Sequence, residues 1–365
     1  MRATALIPLV FLAITYSAIA AEPSYPKYPT TPPETHFLGT CDSDPDGTKF
    51  AEKACYTTFY PGRSGFAPFY RSPTCEKPVD QAQKDMLAKA YSRAPDYMKA
   101  RLCRLTWLYV TRSWGPMGWG FWEGPDRLPG SKSVYLAISD RELTGKKSFV
   151  DVENQTIRDL LRNSDGDRDN GRGLVQLKTG AALDPELTVL GELAHELGHA
   201  LVADANMDGI KRYHPRRRVS GPPRNTCFED AFVRASWDGE RFDRHLQRWV
   251  DFGNQYHNRA KNPDVKFSLE RLRHDVDRGK FDTANRAIRD VYSSKEFVSF
   301  AAAINPLEDV AETYRYKVLA DAMANQKIVF DLGGRDIKIF DILDSGIPEA
   351  KVKCLRDIGF LSDQP

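Results

Sequence analysis

The sequence predicts an α+β fold, with a small mixed sheet against one buried helix and a mainly helical C-terminal part. Three observations carry this. Residues 105–111, 133–139 and 173–179 (L-T-W-L-Y-V-T, S-V-Y-L-A-I-S and G-L-V-Q-L-K-T) are short and rich in β-favouring or alternating residues. Residues 185–203 carry apolar side chains on most of a helical surface, so that helix is expected to be buried. Residues 228–303 and 305–325 are charged and helical in pattern.

The N-terminus has the pattern of a secretory signal. Arg2 precedes a mostly apolar run that is shorter than the roughly 20 residues a bilayer span needs, and Ala18-Ile19-Ala20 fits a cleavage site. Residues 1–20 are therefore expected to be a signal peptide and the mature chain to be secreted or periplasmic, with no membrane span after signal removal. Prolines at 23, 26, 29, 32 and 33 make 21–36 an extended linker. All six cysteines follow it, and four of them (Cys41, Cys55, Cys75 and Cys103) fall in the region 37–130, which is expected to be disulfide-rich. None forms a C-x-x-C pair, so no cysteine zinc knuckle is expected. The remainder, 131–365, reads as one further domain, with a helical insertion near 228–303.

Within 41–75 the string Asp42-Ser43-Asp44-Pro45-Asp46-Gly47 has the start of a calcium loop, but Lys53 stands where a bidentate Glu is needed. A polar turn is the expected reading there, and again at 165–171. Residues 79–91 and 96–101 are helical in composition. The stretch 113–130 places Trp114, Trp119, Phe121 and Trp122 among glycines and prolines. These rings either pack over the core or form a platform for sugar or peptide. Asn154-Gln155-Thr156 is a glycosylation sequon, with meaning only in a eukaryotic secretory route. Residues 327–343 read as a hairpin around Gly333-Gly334, and 348–358 as a terminal helix.

Charge excludes one class of partner. Fifty-two Lys and Arg against fifty Asp and Glu leave a net +2, and no long basic stripe occurs, so nucleic acid is not expected. The cluster Arg216-Arg217-Arg218 sits in a Pro/Gly-rich loop and reads as solvated.

The chemistry lies in 185–203, P-E-L-T-V-L-G-E-L-A-H-E-L-G-H-A-L-V-A. Asp184 and Pro185 suit the N-cap and first position of a helix. Residues four apart stack on one face, so His195 and His199 can chelate one ion. Glu196 is turned by about 100° from His195 and can serve water at that ion without ligating it. Two polar rings in an apolar helix are costly unless something satisfies them, and a metal does so. Zinc, one ion per chain, is the expected cofactor.

A catalytic zinc takes three protein ligands and keeps one open position. Val202 and Ala205 stand where a metzincin would carry Gly and His, so that continuation is excluded. His214, Asp204 and Asp208 are near in sequence but fit no pattern. The better segment is Asn305-Pro306-Leu307-Glu308-Asp309-Val310-Ala311-Glu312-Thr313-Tyr314, where Glu308 and Glu312 stack at i and i+4 beside an apolar stripe of Leu307, Val310, Ala311, Tyr314 and Val318. Together the two segments resemble the glutamate-ligated zincins, the thermolysin-like and lethal-factor-like metallopeptidases. The resemblance implies a zincin-like fold, with Glu308 as third ligand and Glu312 accepting the free N–H of a ligating histidine. Asp309 is a further candidate for that supporting shell. Two alternatives stay open: Glu312 as the ligand, and Glu308 as the N3 member of a capping box with Asn305.

The resemblance further implies an endopeptidase acting on peptide or protein, with Glu196 as general base. Tyr213, His214 and Tyr316 are the candidate oxyanion donors. A hydrolase of cell-wall peptide or another amide, and a non-catalytic glycan-binding protein, are the competing readings.

Overall fold

The computed structural model describes residues 43–57, 75–105, 107–111, 135–161, 173–179, 184–212, 227, 229–237, 260–323 and 328–361. The sequence readings at 1–36, Cys41, 113–130, 165–171, Tyr213, His214 and 216–218 lie outside them. The described part is α+β, with two small sheets and many helices.

The first sheet has the order β2-β1-β3-β4. Strands β1 (Ala54–Thr57), β3 (Trp107–Thr111) and β4 (Tyr135–Ser139) run parallel, and β2 (Lys77–Pro78) is antiparallel to β1. The register sets Leu108 against Ala54 and Leu136, and Val110 against Ile138. Because side chains alternate across a strand, these five residues share the face that joins the main core. Cys55, Tyr109 and Ala137 form a separate buried cluster on the other face.

Helix α1 (Thr48–Ala51) leads into this sheet. Asp44 accepts from the backbone N–H of Lys49 at 3.0 Å and of Phe50 at 2.8 Å, and Asp46 from Thr48 at 3.1 Å. The carboxylates of the acidic string thus serve the first amides of a helix. Gly47 permits the turn. Its φ is 77°, and a Cβ there would meet the Ala88 carbonyl oxygen at 2.6 Å.

Helices α2 (Gln81–Arg93) and α3 (Asp96–Leu102) follow, α2 opening on a capping box between Asp80 and Gln83. Helix α4 (Phe149–Leu160) opens on another, between Ser148 and Asp151. The sequon reading fails on α4. Asn154 is 9% exposed, and its carboxamide donates to the Leu177 carbonyl and accepts from the Leu177 N–H, both at 2.8 Å. A side chain so buried and held leaves no room for a glycan.

The same contact corrects the sheet. Residues 173–179 do not join β3 and β4. They supply β5 (Leu177–Lys178), which pairs antiparallel with β6 (Val329–Leu332), itself paired with β7 (Asp336–Lys338). Asn154 occupies the outward amide and carbonyl of Leu177, ending that edge as a neighbouring strand would. An extended peptide therefore cannot add at Leu177.

The long helix α5 (Pro185–Arg212) runs past the expected end at 203. Leu187, Val189, Leu190, Leu193, Ala194, Leu197, Ala200 and Leu201 are all buried, as its composition requires. Between α5 and residue 305, the described elements are helical: a π-wound turn at Glu229–Arg234, then α6 (Leu269–Asp277) and α7 (Asp282–Ser293). Helix α8 (Pro306–Ala322) packs along α5, and α9 (Gly346–Asp357) closes the chain against α8.

Disulfides join Cys55 to Cys75 and Cys227 to Cys354, and Cys103 is also disulfide-bonded. The first staples β1 to Cys75, two positions before β2. The second ties α9 to the start of the helical region. Such bonds are consistent with an extracytoplasmic protein. Among the described residues, no helix is long and apolar enough to cross a membrane.

Candidate metal centre

The centre forms where α5 crosses α8. Two glycines set how close the helices come. A Cβ at Gly198 would lie 2.8 Å from the Ala311 Cα, and one at Gly191 would touch the Arg315 side chain at 3.4 Å. Gly198 is the fourth residue of H-E-L-G-H, so the histidines flank the tightest part of the crossing.

His195 and His199, one turn apart on α5, bring their Nε2 atoms to 3.1 Å. Glu308, in the first turn of α8, sets its Oε2 at 3.6 Å from His195 Nε2 and 3.5 Å from His199 Nε2. Tetrahedral zinc with bonds of about 2.0–2.1 Å holds its donors about 3.3 Å apart, so the three separations suit one small cation. The three side chains are 12%, 25% and 29% exposed, shielded yet reachable. The group could hold a metal ion, and its composition of two imidazoles and a carboxylate does not by itself name the element.

Helix capping and Glu308 prove separable. Asn305 accepts from the Glu308 backbone N–H at 2.7 Å, which is the N-cap. The Glu308 carboxylate turns instead to the histidines. Burial alone would raise its pKa, but His199 and His195 beside it hold it below the ordinary value.

Glu312 lies one turn further along α8 and takes the other side of His195. Its Oε1 is 2.7 Å from His195 Nδ1. Its Oε2 accepts from Ser299 Oγ at 2.6 Å, and Arg315 Nη1 donates to Oε1 at 3.0 Å. Burial opposes ionisation, but Arg315 and His195 outweigh it and hold the carboxyl well below the usual range. An ionised carboxylate only accepts, so Nδ1 of His195 carries the proton and its Nε2 is left to face His199 and Glu308. Burial also disfavours a charged His195, yet the Glu312 hydrogen bond and the carboxylates of Glu196, Glu312 and Glu308 raise its pKa to about 10. A site so rich in negative charge favours a bound cation.

Glu196 is 4% exposed and within electrostatic reach of His195. It sits on α5 between the two histidines, turned away from their shared face, as the helical spacing requires.

Two expected residues are not at the centre. Asp309 points the other way, into a fully buried pair with Lys351 of α9 at 2.7 Å. Burial raises Asp309 to about 6 and lowers Lys351, while Lys351 also donates to the Glu296 carbonyl and lies over the Phe297 ring. Asp309 is adjacent in sequence to Glu308, but neighbours on a helix diverge by about 100°, which separates their roles. Tyr316 is wholly buried, with ring contacts to Phe149 and Phe340. It cannot meet a substrate.

Sequence pattern missed the residues behind Glu312. Arg315 Nη1 also pairs with Glu153 of α4 at 2.8 Å, and Tyr292 donates to Glu153 at 3.2 Å. One guanidinium thus serves two buried carboxylates. Burial wins at Glu153, whose pKa is raised to about 7.

The sign of its linkage to stability follows. Between about pH 4.5 and 7 the folded chain keeps a proton at Glu153 that the unfolded chain has lost, so stability falls as pH rises through that window. Glu153→Gln should remove a decline of up to about 3 kcal/mol. Urea denaturation of both zinc-free proteins at several pH values checks this. Parallel curves for the two proteins would show that Glu153 does not titrate there.

No protein-family model, curated protein or solved structure matches the chain.

Proposed function

We propose that the chain is an extracytoplasmic zinc-dependent peptidase with a zincin-like catalytic domain, His195, His199 and Glu308 holding the ion. The convergence of these three donors from two helices, with Glu312 locking His195 and Glu196 alongside, carries this reading. Zinc suits the donor set, because two imidazoles and one carboxylate around an open fourth position are characteristic of hydrolytic zinc sites. When bound, zinc supplies Lewis-acid polarisation of a carbonyl and makes water acidic enough to attack near neutral pH.

The chain's own groups do the rest. Glu196, ionised, accepts a proton from the attacking water as the new C–O bond forms. It returns that proton to the amine nitrogen as the C–N bond breaks, leaving the carboxylate regenerated. Glu312 keeps the His195 ring from turning, so its Nε2 stays aimed at the ion.

Metal removal tests the reading. Purified protein should carry one zinc per chain by elemental analysis and cleave at least one substrate among unfolded proteins, synthetic peptides and cell-wall peptides. A chelator should abolish cleavage, and one equivalent of zinc should restore it. Full hydrolysis by protein stripped of metal would sink the proposal. Cleavage confined to cell-wall peptides would narrow the substrate class without changing the chemistry.

A further inference from the structure

We propose that Arg315 is a positioning residue of the metal centre, fixing Glu312 so that Glu312 fixes the His195 ring. The inference rests on His195 being a metal ligand, as proposed above.

Arg315 stands three positions after Glu312 on α8, which places both on one side of the helix. Arg315 is 3% exposed, and its guanidinium carbon lies 4.8 Å from the centre of the Phe149 ring. Its Nη1 is shared between Glu312 Oε1 at 3.0 Å and Glu153 Oε1 at 2.8 Å. The same Glu312 oxygen meets His195 Nδ1 at 2.7 Å. A continuous chain of contacts therefore runs from α4 through α8 to the ligand on α5.

Charge explains why the chain needs its cation. Glu308 and Glu312 stand one turn apart, so two carboxylates flank the His195 ring, and Glu308 faces His199 as well. Like charges at i and i+4 repel, and burial strengthens the repulsion. A guanidinium behind Glu312 offsets it and holds the carboxylate by a directed hydrogen bond. Without that bond Glu312 would be free to turn away from Nδ1. The ring would then lose the contact that holds its orientation, and with it the aim of Nε2, the atom that must ligate. A lysine cannot substitute fully, because a flexible ammonium lacks the planar guanidinium that packs over the Phe149 ring and so aims Nη1.

Zinc affinity, by competition with a chromophoric chelator, and the ¹⁵N shift of the His195 Nδ1–H in zinc-loaded protein read this directly. Glu312→Gln and the double variant Arg315→Met/Glu153→Gln should each weaken zinc by about 10- to 100-fold. The second change in the double variant removes the carboxylate that the missing guanidinium would strand. Glu153→Gln alone should stay within about threefold of wild type. Adding Glu312→Gln to the double variant should weaken zinc no further, since both act through one oxygen. The shift should report an Nδ1–H hydrogen-bonded to Glu312 in wild type and a weakened bond in the double variant.

Arg315→Lys, which keeps the charge, should lose at least about threefold. If the double variant does not fold, this lysine variant decides. Wild-type affinity in Arg315→Lys, or in a folded double variant, overturns the proposal. So do losses that multiply when Glu312→Gln is added. A wild-type protein that binds zinc but cleaves nothing would defeat the peptidase reading and leave these affinity results standing.

Discussion

Glu196→Gln is expected to keep one zinc per chain and to lower peptide hydrolysis by about 10³-fold or more. The substitution conserves shape and removes one ability, taking a proton from water. Glu196 is not among the three converging donors, so the ion should remain. Its loss does remove one of the negative groups acting on His195, so a modest drop in affinity is expected, within about tenfold. The rate should fall at saturating zinc and saturating substrate alike, because the missing step is proton transfer. Glu192 provides the internal comparison. It lies one turn earlier on α5, is also buried, and its pKa is raised to about 7 by that burial. If Glu192 were the base, Glu192→Gln would give the large loss and Glu196→Gln the small one. Undiminished hydrolysis in zinc-loaded Glu196→Gln would remove the mechanism.

What the sequence makes legible is what depends on local spacing. His195 and His199 converge because four residues return a helix to the same face, and α8 starts where Asn305 and Pro306 put it. The pair Glu308 and Glu312 likewise divide between ligand cluster and support because one turn separates them. Long-range pairing is a different matter. The strands β1 and β2 are four and two residues long, too short for a periodic signal, and Cys75, joined to Cys55, lies just before β2. Residues 173–179 alternate like a sheet strand, but Asn154 takes the edge of Leu177, a contact that no pattern within either segment encodes. Arg315 and Glu153 meet from distant helices, so their pairing is not read from either segment until the fold is known. The capping signature at Ser148 and Asp151 was a visible clue to α4 and hence to Glu153.

Gly198→Ala should weaken zinc binding by on the order of 100-fold, against what helix propensity alone would suggest. Alanine is favoured over glycine inside a helix by about 1 kcal/mol, so an exposed position would gain stability. At Gly198 the added Cβ would sit 2.8 Å from the Ala311 Cα and 3.3 Å from its carbonyl oxygen. Carbon atoms rest about 3.5–4.0 Å apart, so α5 and α8 must separate by about 1 Å. The obstructing atoms are backbone and cannot rotate aside. Overpacking of this kind costs about 1–3 kcal/mol, which exceeds the propensity gain. The larger effect falls on the site, because Ala311 lies between Glu308 and Glu312 and any displacement carries both from His195 and His199. Gly191 supplies the contrast. Its Cβ would meet side-chain atoms of Arg315 at 3.4 Å and Leu319 at 3.5 Å, ordinary contact distances that leave Arg315 in place. Gly191→Ala should therefore change zinc affinity by less than about tenfold. Equal affinities in wild type and Gly198→Ala, with a more stable variant, would mean that the close crossing of α5 and α8 is not what aligns the donors.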